Sequence, residues 1–267
     1  MKISHCLKTA ASGIVKSSLN GIISPALSQL NDMVIIGNFL FRHRNYLFPI
    51  FYLILFAPSP AIFDDFYIPV IIGLSFALFG QAIRILTIGL VYIIRGGKHR
   101  RIYAKELVTD GIFAHCRNPL YLGNILILTG LVITSNSLVS LLILLPLFVF
   151  AYQAIVMAEE DFLQDRFGPQ YKDYLRSVNR WVPHLKGIGN TIKSSTFKWK
   201  RVIVKEYNST YIWLTGAVLL ILKNYYSYST VQDFHKSLLP FLLVIFSLTV
   251  CYSIVRYFKK SHKLVGD

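Results

Sequence analysis

Six apolar segments constrain the fold of this chain more than any other feature. A helix needs about 20 apolar residues to cross the hydrocarbon core of a bilayer. The six segments are 46–62, 66–94, 119–134, 138–157, 208–224 and 237–257. The chain is 54% hydrophobic and 15% charged, which is too apolar for a soluble domain of 267 residues. The sequence therefore predicts an all-α fold, a polytopic transmembrane helical bundle with about six membrane segments.

The basic residues lie between the apolar segments, on one predicted side of the membrane. The four clusters are Arg42 with Arg44, 95–105, 186–205 and 256–263. Because loops rich in Lys and Arg stay in the cytoplasm, we expect this side, and both termini, to be cytoplasmic. The sidedness also explains the net charge of +15 without nucleic-acid binding.

A polar cluster stands at the cytoplasmic start of the third segment. Asn118 is a strong helix N-cap and Pro119 suits the first helical position, so this dipeptide predicts a helix start. Arg117 adds a permanent cation beside the helix N-terminus, where backbone amides also favour an anion. We therefore expect this helix start to hold a carboxylate or a phosphate.

Aromatic and acidic residues extend this cluster. Tyr121 lies in the first turn of the helix, and the polar turn 134–137 predicts a hairpin that returns the chain to the cytoplasmic side at Glu159 and Glu160. A solvated helix end is the alternative interpretation of the two glutamates. Together the groups fit S-adenosylmethionine, which offers a carboxylate to Arg117, amino and hydroxyl groups to the glutamates and an adenine ring to Tyr121.

Arg84, within the second apolar segment, is a candidate substrate-binding residue. An arginine at membrane depth is costly unless it faces the bundle interior or water, which makes it a functional candidate. The segment is long enough for Arg84 to lie near the interface and reach water instead. Both interpretations remain open at this stage.

Several short motifs occur together in an order that one family shares. They are Leu107-Val108-Thr109, Gly111-Ile-Phe, Arg117-Asn118-Pro119-Leu-Tyr121-Leu-Gly123, Glu159-Glu160, Phe167-Gly168, Tyr171-Lys-Asp-Tyr174 and Val182-Pro183. Over residues 66–184 the chain resembles the integral-membrane methyltransferases, the superfamily of isoprenylcysteine carboxyl methyltransferase and phospholipid N-methyltransferase.

The resemblance implies S-adenosylmethionine bound near the cytoplasmic face and a methyl group transferred to a lipophilic, membrane-embedded acceptor. The cofactor-binding residues it implies are Leu107, Val108, Asn118, Pro119, Tyr121 and Glu159, and the polar cluster adds Arg117 and Glu160. A carboxylate acceptor needs no base, whereas an amine acceptor must lose a proton. His115, Glu160 and Tyr121 are the candidate bases, and none is preferred.

Two positions depart from the family pattern. Many members have His where this chain has Asn118, whose amide can still donate and accept hydrogen bonds. The isoprenylcysteine enzymes have an arginine, associated with the substrate carboxylate, one helical turn before the glutamate, and this chain has Ile155 there. A prenylcysteine substrate is therefore not expected.

The sequence divides into an N-terminal interfacial helix or tail (1–45), a membrane methyltransferase core (46–184) and a basic linker with a C-terminal helix pair (185–267). The helix pair lies outside the resemblance. With Arg84, it motivates an alternative function as a non-catalytic membrane scaffold or transporter component. The three cysteines have no paired or metal-like spacing, so we expect no metal site. The expected partners are the lipid bilayer and the lipophilic acceptor.

Overall fold

The computed structural model describes residues 30–91 and 101–264, and across these ranges the chain is helical, without a β-sheet. Most of the predicted N-terminal segment and part of the first basic connector lie outside them. The helices are α1 (30–53), α2 (Tyr67–Leu90), α3 (Pro119–Thr134), α4 (Leu145–Phe167), α5 (Pro169–Ser177), α6 (Ile188–Ser194), α7 (Trp199–Tyr228) and α8 (Val231–Lys260). Short 3-10 turns occupy Ile54–Phe56 and Gly111–Ala114, and a π-helical turn, Ser140–Leu144, leads into α4. The all-α prediction is confirmed for these residues.

Helix length and composition support three of the six predicted spans. Helix α2, the continuous helix Ser140–Phe167 and α8 are long and apolar enough to cross a membrane. Helix α3 is apolar but has only 16 residues. At 1.5 Å per residue it is about 24 Å long, shorter than the roughly 30 Å hydrocarbon core.

The first predicted segment, 46–62, differs most from the structure. Helix α1 covers 30–53, and irregular chain follows the short turn after it. Pro58 and Pro60 explain this end, because proline cannot continue a helix and disfavours helical geometry in the residue before it. The apolar pattern therefore misplaced both ends of this segment.

Helices α2 and α3 pack with their backbones in contact. A Cβ atom added to Gly80 would lie 2.6 Å from the carbonyl oxygen of Gly123, and one added to Gly123 would lie 2.8 Å from that of Gly80. Gly73 and Gly130 meet in the same way one level away along the pair. Small residues at such spacing let membrane helices approach closely. The pair forms a rigid base for the rest of the bundle.

Helices α4 and α7 complete the core around this pair. Leu128 and Leu131 of α3 pack with Phe148 of α4 and with Trp213 and Leu220 of α7 in one buried cluster. Helix α7 is thus part of the same bundle, although it lies outside the family resemblance. Helix α8 packs against the outer side of α7.

Candidate functional site

A cavity of about 1350 Å³ opens within the bundle. Its walls come from α1, from the connector before α3, from the starts of α3 and α5, from the end of α4 and from one side of α7. All nine residues predicted as site residues line it: Arg84, Leu107, Val108, Arg117, Asn118, Pro119, Tyr121, Glu159 and Glu160. The folded chain thus brings together residues that are up to 76 positions apart in the sequence, from Arg84 to Glu160.

Tyr121 and Glu159 form a polar pair on the cavity wall. The Tyr121 hydroxyl donates a hydrogen bond to Glu159 Oε1 at 2.6 Å, and the Tyr121 ring packs against that of Tyr152, with 5.6 Å between centroids. Arg44 of α1 lines the same cavity and acts electrostatically on Glu159. The site therefore has a carboxylate that an aromatic hydroxyl orients and a cation nearby.

Glu160 has a different set of partners. Its carboxylate accepts hydrogen bonds from Arg117 Nε at 3.2 Å, from Arg180 at 2.7 Å and from Asn118 Nδ2 at 3.3 Å. The two glutamates diverge because successive residues point about 100° apart around a helix. Glu160 is buried and acts as the centre of an ion-pair network that joins α3, α4 and the chain after α5.

The Arg117 guanidinium binds the protein itself. Besides Glu160, it donates to the carbonyl oxygens of Leu175 at 3.1 Å and Val178 at 2.8 Å. Those carbonyls lie at the C-terminal end of α5, where helices leave acceptors without intrahelical partners. Arg117, expected to hold an anionic ligand, thus fastens α5 beside the start of α3.

Asn118 directly precedes helix α3, which starts at Pro119 as predicted, but its side chain does not make the predicted N-cap hydrogen bond. Its Nδ2 donates instead to Glu160 and, at 3.4 Å, to the carbonyl oxygen of Arg180. The amide therefore supports the ion-pair network around Glu160.

Two buried tyrosines bring α5 against the cavity. The sharp turn between α4 and α5 uses Gly168 at φ +52° and ψ −120°, a conformation that only glycine adopts easily. Tyr171 and Tyr174 then point inward, and the Tyr174 hydroxyl donates to the carbonyl oxygen of Phe113 at 2.7 Å. Burial raises the pKa of both tyrosines above the usual range. They stay protonated at neutral pH, so neither serves as a base.

His115 lies outside the cavity lining. Its Nδ1 donates to the carbonyl oxygen of His184 at 2.7 Å, and its Nε2 is 2.8 Å from Thr191 Oγ1. These contacts join the start of α3 to α6 and the chain before it. Of the three candidate bases, Tyr121 and Glu160 line the cavity and His115 does not.

Arg84 is fully buried and faces the bundle interior. Its Nε and one terminal nitrogen donate to the two carboxylate oxygens of Glu206 on α7, at 2.8 and 2.9 Å, and its other terminal nitrogen donates to Asn124 of α3. The paired, bidentate geometry decides between the two interpretations of Arg84, because a side chain reaching toward water would be exposed. Arg84 ties α7 to α2 and α3 at the edge of the cavity.

Sequence reasoning missed two contributors to the cavity. Arg44 served only as a marker of topology, and α7 was left outside the core. A signal for α7 was present, because Ser209, Ile212, Gly216 and Leu219 recur at the spacing of one helix face. All four line the cavity.

Among the residues that the structure describes, no group of three or more His, Cys, Asp or Glu side chains could hold a metal ion.

No solved structure matches the chain at a significant level. Two curated relatives match a short part of it. The nickel-cobalt-cadmium resistance protein NccN of Alcaligenes xylosoxydans xylosoxydans is 35% identical over 80 residues, which is 30% of this chain and 37% of that protein. The cobalt-zinc-cadmium resistance protein CzcN of Cupriavidus metallidurans is 35% identical over 79 residues, 30% of this chain and 36% of that protein. The match covers little more than a third of either relative.

A family model described as phospholipid methyltransferase matches residues 69–170. This range contains α2, α3 and α4 with the Arg117 to Tyr121 motif and both glutamates. The resemblance predicted from the motifs is therefore confirmed over residues 69–170, whose match to the phospholipid methyltransferase model is consistent with the membrane methyltransferase superfamily.

Proposed function

We propose that this protein is an S-adenosylmethionine-dependent methyltransferase that acts on a lipophilic acceptor within the membrane. One observation carries the proposal: nine residues chosen by motif and chemistry line a single cavity, within or beside the methyltransferase domain. The nine residues come from four separate stretches of the sequence, Arg84, 107–108, 117–121 and 159–160, and the fold brings all four to one cavity.

The cavity fits the cofactor in size and chemistry. Its volume of about 1350 Å³ exceeds the roughly 300–1,000 Å³ of ordinary small-molecule pockets, which leaves room for an acceptor beside the cofactor. Leu107, Val108 and Pro119 offer an apolar wall for an adenine ring. Glu159, oriented by the hydrogen bond from Tyr121, offers a carboxylate for the amino group or the ribose hydroxyls.

The chain's task in this reaction is alignment and exclusion of water. When bound, S-adenosylmethionine supplies an electrophilic methyl group. The nucleophile must lie in line with that group, so the residues around it act mainly by positioning and by keeping water away. The Tyr121 hydrogen bond fixes the Glu159 carboxylate, and the network around Glu160 fixes α5 over the cavity. No side chain needs to form a covalent bond.

The acceptor group is a carboxylate or an amine. Ile155, at the position where the isoprenylcysteine enzymes have an arginine, is fully buried in an apolar cluster with Leu40 and Phe41. A prenylcysteine carboxylate would find no cation from that position. Glu160, one of the candidate bases for an amine acceptor, is already paired with two arginines.

Calorimetric titration with S-adenosylhomocysteine, the stable product, tests the proposal. Wild-type protein in nanodiscs should bind it saturably, and Glu159→Ala should bind it at least tenfold more weakly, since a hydrogen bond to a charged group contributes about 1.5–3 kcal/mol. Asp161→Ala is the matched control, because it removes an exposed carboxylate two residues further along α4. It should bind as wild type does.

The competing function, a non-catalytic membrane component, predicts a different result. The similarity to two proteins named for metal resistance favours this alternative function. Absence of S-adenosylhomocysteine binding by folded wild-type protein would reject the methyltransferase proposal and favour this alternative. Equal weakening by Glu159→Ala and Asp161→Ala would reject the assigned site.

A further inference from the structure

We infer that α7 forms the wall along which the hydrocarbon chain of the methyl acceptor lies, and that Gly216 keeps the path for this chain open. The inference rests on the proposed function, because it names where that reaction's acceptor binds. It concerns a helix outside the stretch that the family model matches.

One face of α7 anchors the helix to the bundle. Glu206 binds Arg84, the Trp213 indole nitrogen donates to Gln81 Oε1 at 2.8 Å, and Asn224 donates to the carbonyl oxygen of Thr134 at 2.6 Å. The residues of this face that are buried are Glu206, Trp213, Ala217, Leu220 and Asn224. Hydrogen bonds therefore hold α7 against α2 and α3 at three positions along its length, which fixes this helix as one wall of the cavity.

A second face of α7 borders the cavity. Ser209, Ile212, Gly216 and Leu219 lie at intervals of three, four and three residues, which places them in one stripe along the helix. Ile212 is 49% exposed and Leu219 is 39% exposed. These apolar side chains face open space, which a hydrocarbon chain would cover favourably.

Gly216 differs from the glycines of α2 and α3. Added Cβ atoms at Gly80 and Gly123 would meet other atoms at under 3 Å. Apart from its chain neighbours and the nearby backbone of its own helix, no described atom lies within 4 Å of a Cβ added to Gly216. Glycine inside a helix weakens it relative to alanine. At Gly80 and Gly123, close packing of α2 against α3 compensates for this loss of helix stability. At Gly216 no such packing is present, and the missing side chain leaves free space beside the middle of α7.

Polar and apolar residues of α7 both line the cavity. Asn208 and Ser209 line it nearer the start of the helix, and Leu219 lines it further along, as does the apolar Phe56 after α1. Phe56 and Leu219 also border a second groove, lined further by Leu222, Lys223, Tyr226 and Phe234. Its surface is mostly apolar, and the Lys223 ammonium group donates to the carbonyl oxygens of Leu55 and Ser135. A molecule with a polar reacting group and a long apolar chain matches a cavity whose polar residues adjoin an apolar groove. The occupant is therefore a membrane lipid, with its headgroup beside the cofactor and its chain passing Gly216.

Cross-linking with a diazirine lipid tests the path. Full-length protein is placed in nanodiscs that contain phosphatidylethanolamine with a diazirine in the acyl chain, irradiated and digested, and the labelled peptides are identified by mass spectrometry. We expect label on the α7 peptide around Gly216 and on the α1 peptide that carries Phe48, because Phe48 lines the same cavity. Absence of label on both would mean that another segment or water fills the space, and would overturn the inference.

Gly216→Trp supplies the decisive variant, because an indole there would fill the path. Gly189→Trp is the matched control, since Gly189 is also a helical glycine with open space around it and lies outside the cavity lining. We expect Gly216→Trp to lower α7 labelling at least tenfold, and to lower equally the transfer of tritiated methyl groups into nanodisc lipids. Gly189→Trp should change neither.

Affinity for S-adenosylhomocysteine separates the two proposals. Gly216→Trp should keep this affinity within twofold, which also shows that the variant is folded. Unchanged labelling and methyl transfer in Gly216→Trp would overturn the assignment of α7 while leaving the methyltransferase function intact. Lack of cofactor binding by the wild type would reject that function, and the premise of this inference would fail with it.

Discussion

At the residue scale, two adjacent glutamates have opposite surroundings. Glu159 faces the cavity with one hydrogen bond from Tyr121, whereas Glu160 lies among Arg117, Arg180 and Asn118. A carboxylate that binds a ligand must be accessible to that ligand. A carboxylate that holds helices together is instead occupied by side chains of the protein. Glu159 therefore suits binding, and Glu160 suits the support of the site.

Neutral variants of the two glutamates should separate these roles. Glu160→Gln leaves Arg117 and Arg180 without their carboxylate, and we expect a loss of about 1–3 kcal/mol in the free energy of unfolding. Glu159→Gln should leave this free energy within about 0.5 kcal/mol of wild type. Thermal unfolding in detergent, followed by tryptophan fluorescence, measures both. Equal destabilisation by the two variants would contradict the division of roles.

The Arg84–Glu206 pair offers a second test at this scale. Glu206→Ala leaves a buried guanidinium without its carboxylate, which costs about 3–5 kcal/mol when one partner of a buried pair is removed. The double variant Arg84→Met with Glu206→Leu removes both charges and should recover most of that loss. Denaturant unfolding of the single and double variants measures the coupling. Additive losses would show that the pair does not hold α7 to the bundle.

At the scale of elements, close backbone approach organises the bundle. Gly73 and Gly80 of α2 meet Gly130 and Gly123 of α3, and the same compact pair carries Arg84 and the start of the polar cluster. Helix α7 then closes the cavity on the other side. The site is thus positioned by helix packing, and the connectors supply only part of its wall.

Alanine at two helical glycines should have effects of opposite sign. Gly80→Ala places a methyl group 2.6 Å from the carbonyl oxygen of Gly123, so α2 and α3 must separate and the free energy of unfolding should fall by about 1–3 kcal/mol. Gly216→Ala meets open space and should raise it by about 0.5–1 kcal/mol through helix propensity. The comparison uses the melting temperature of each variant in the same detergent. Destabilisation by Gly216→Ala would mean that the space beside it is not free.

Local signals in the sequence predicted some elements well. The start of α3 at Pro119 is the clearest case, because it follows from the backbone chemistry of proline, which acts within a few residues. The partners of Arg117 and Arg84 could not be predicted in this way. They include the carbonyl of Val178 and the carboxylate of Glu206, and their proximity depends on how distant helices pack.

At the scale of the whole molecule, the number of membrane crossings decides where the cavity opens. Helices α2, α4 and α8 are long enough to cross, α3 is about 24 Å long, and α7 carries charged residues in its first two turns. We propose that six helices cross, α1, α2, α3, α4, α7 and α8, with the bilayer thinned around α3, so that both termini and the polar residues of the cavity face the cytoplasm.

Single cysteines labelled with a membrane-impermeant maleimide test this topology. Asp64→Cys and Lys186→Cys are exposed positions before α2 and after α5. They lie on opposite sides only if an odd number of the three long helices between them, α2, α3 and α4, crosses the membrane. The background replaces Cys6 and Cys251 with serine and keeps Cys116, which is buried and whose thiol pKa burial raises, so that it reacts slowly.

In right-side-out vesicles, we expect the reagent to label Asp64→Cys at once and Lys186→Cys only after permeabilisation. Gln232→Cys, exposed at the start of α8, should behave like Asp64→Cys, because α7 then returns the chain to the outer side. If the reagent labels Asp64→Cys and Lys186→Cys under the same condition, the two positions lie on the same side of the membrane. An even number of helices then crosses between them, and the 16-residue α3 is the helix that does not cross. If Gln232→Cys labels with Lys186→Cys, α7 does not cross. The acceptor's path along α7 would then open at the membrane surface, and lipid would have to enter from the headgroup layer.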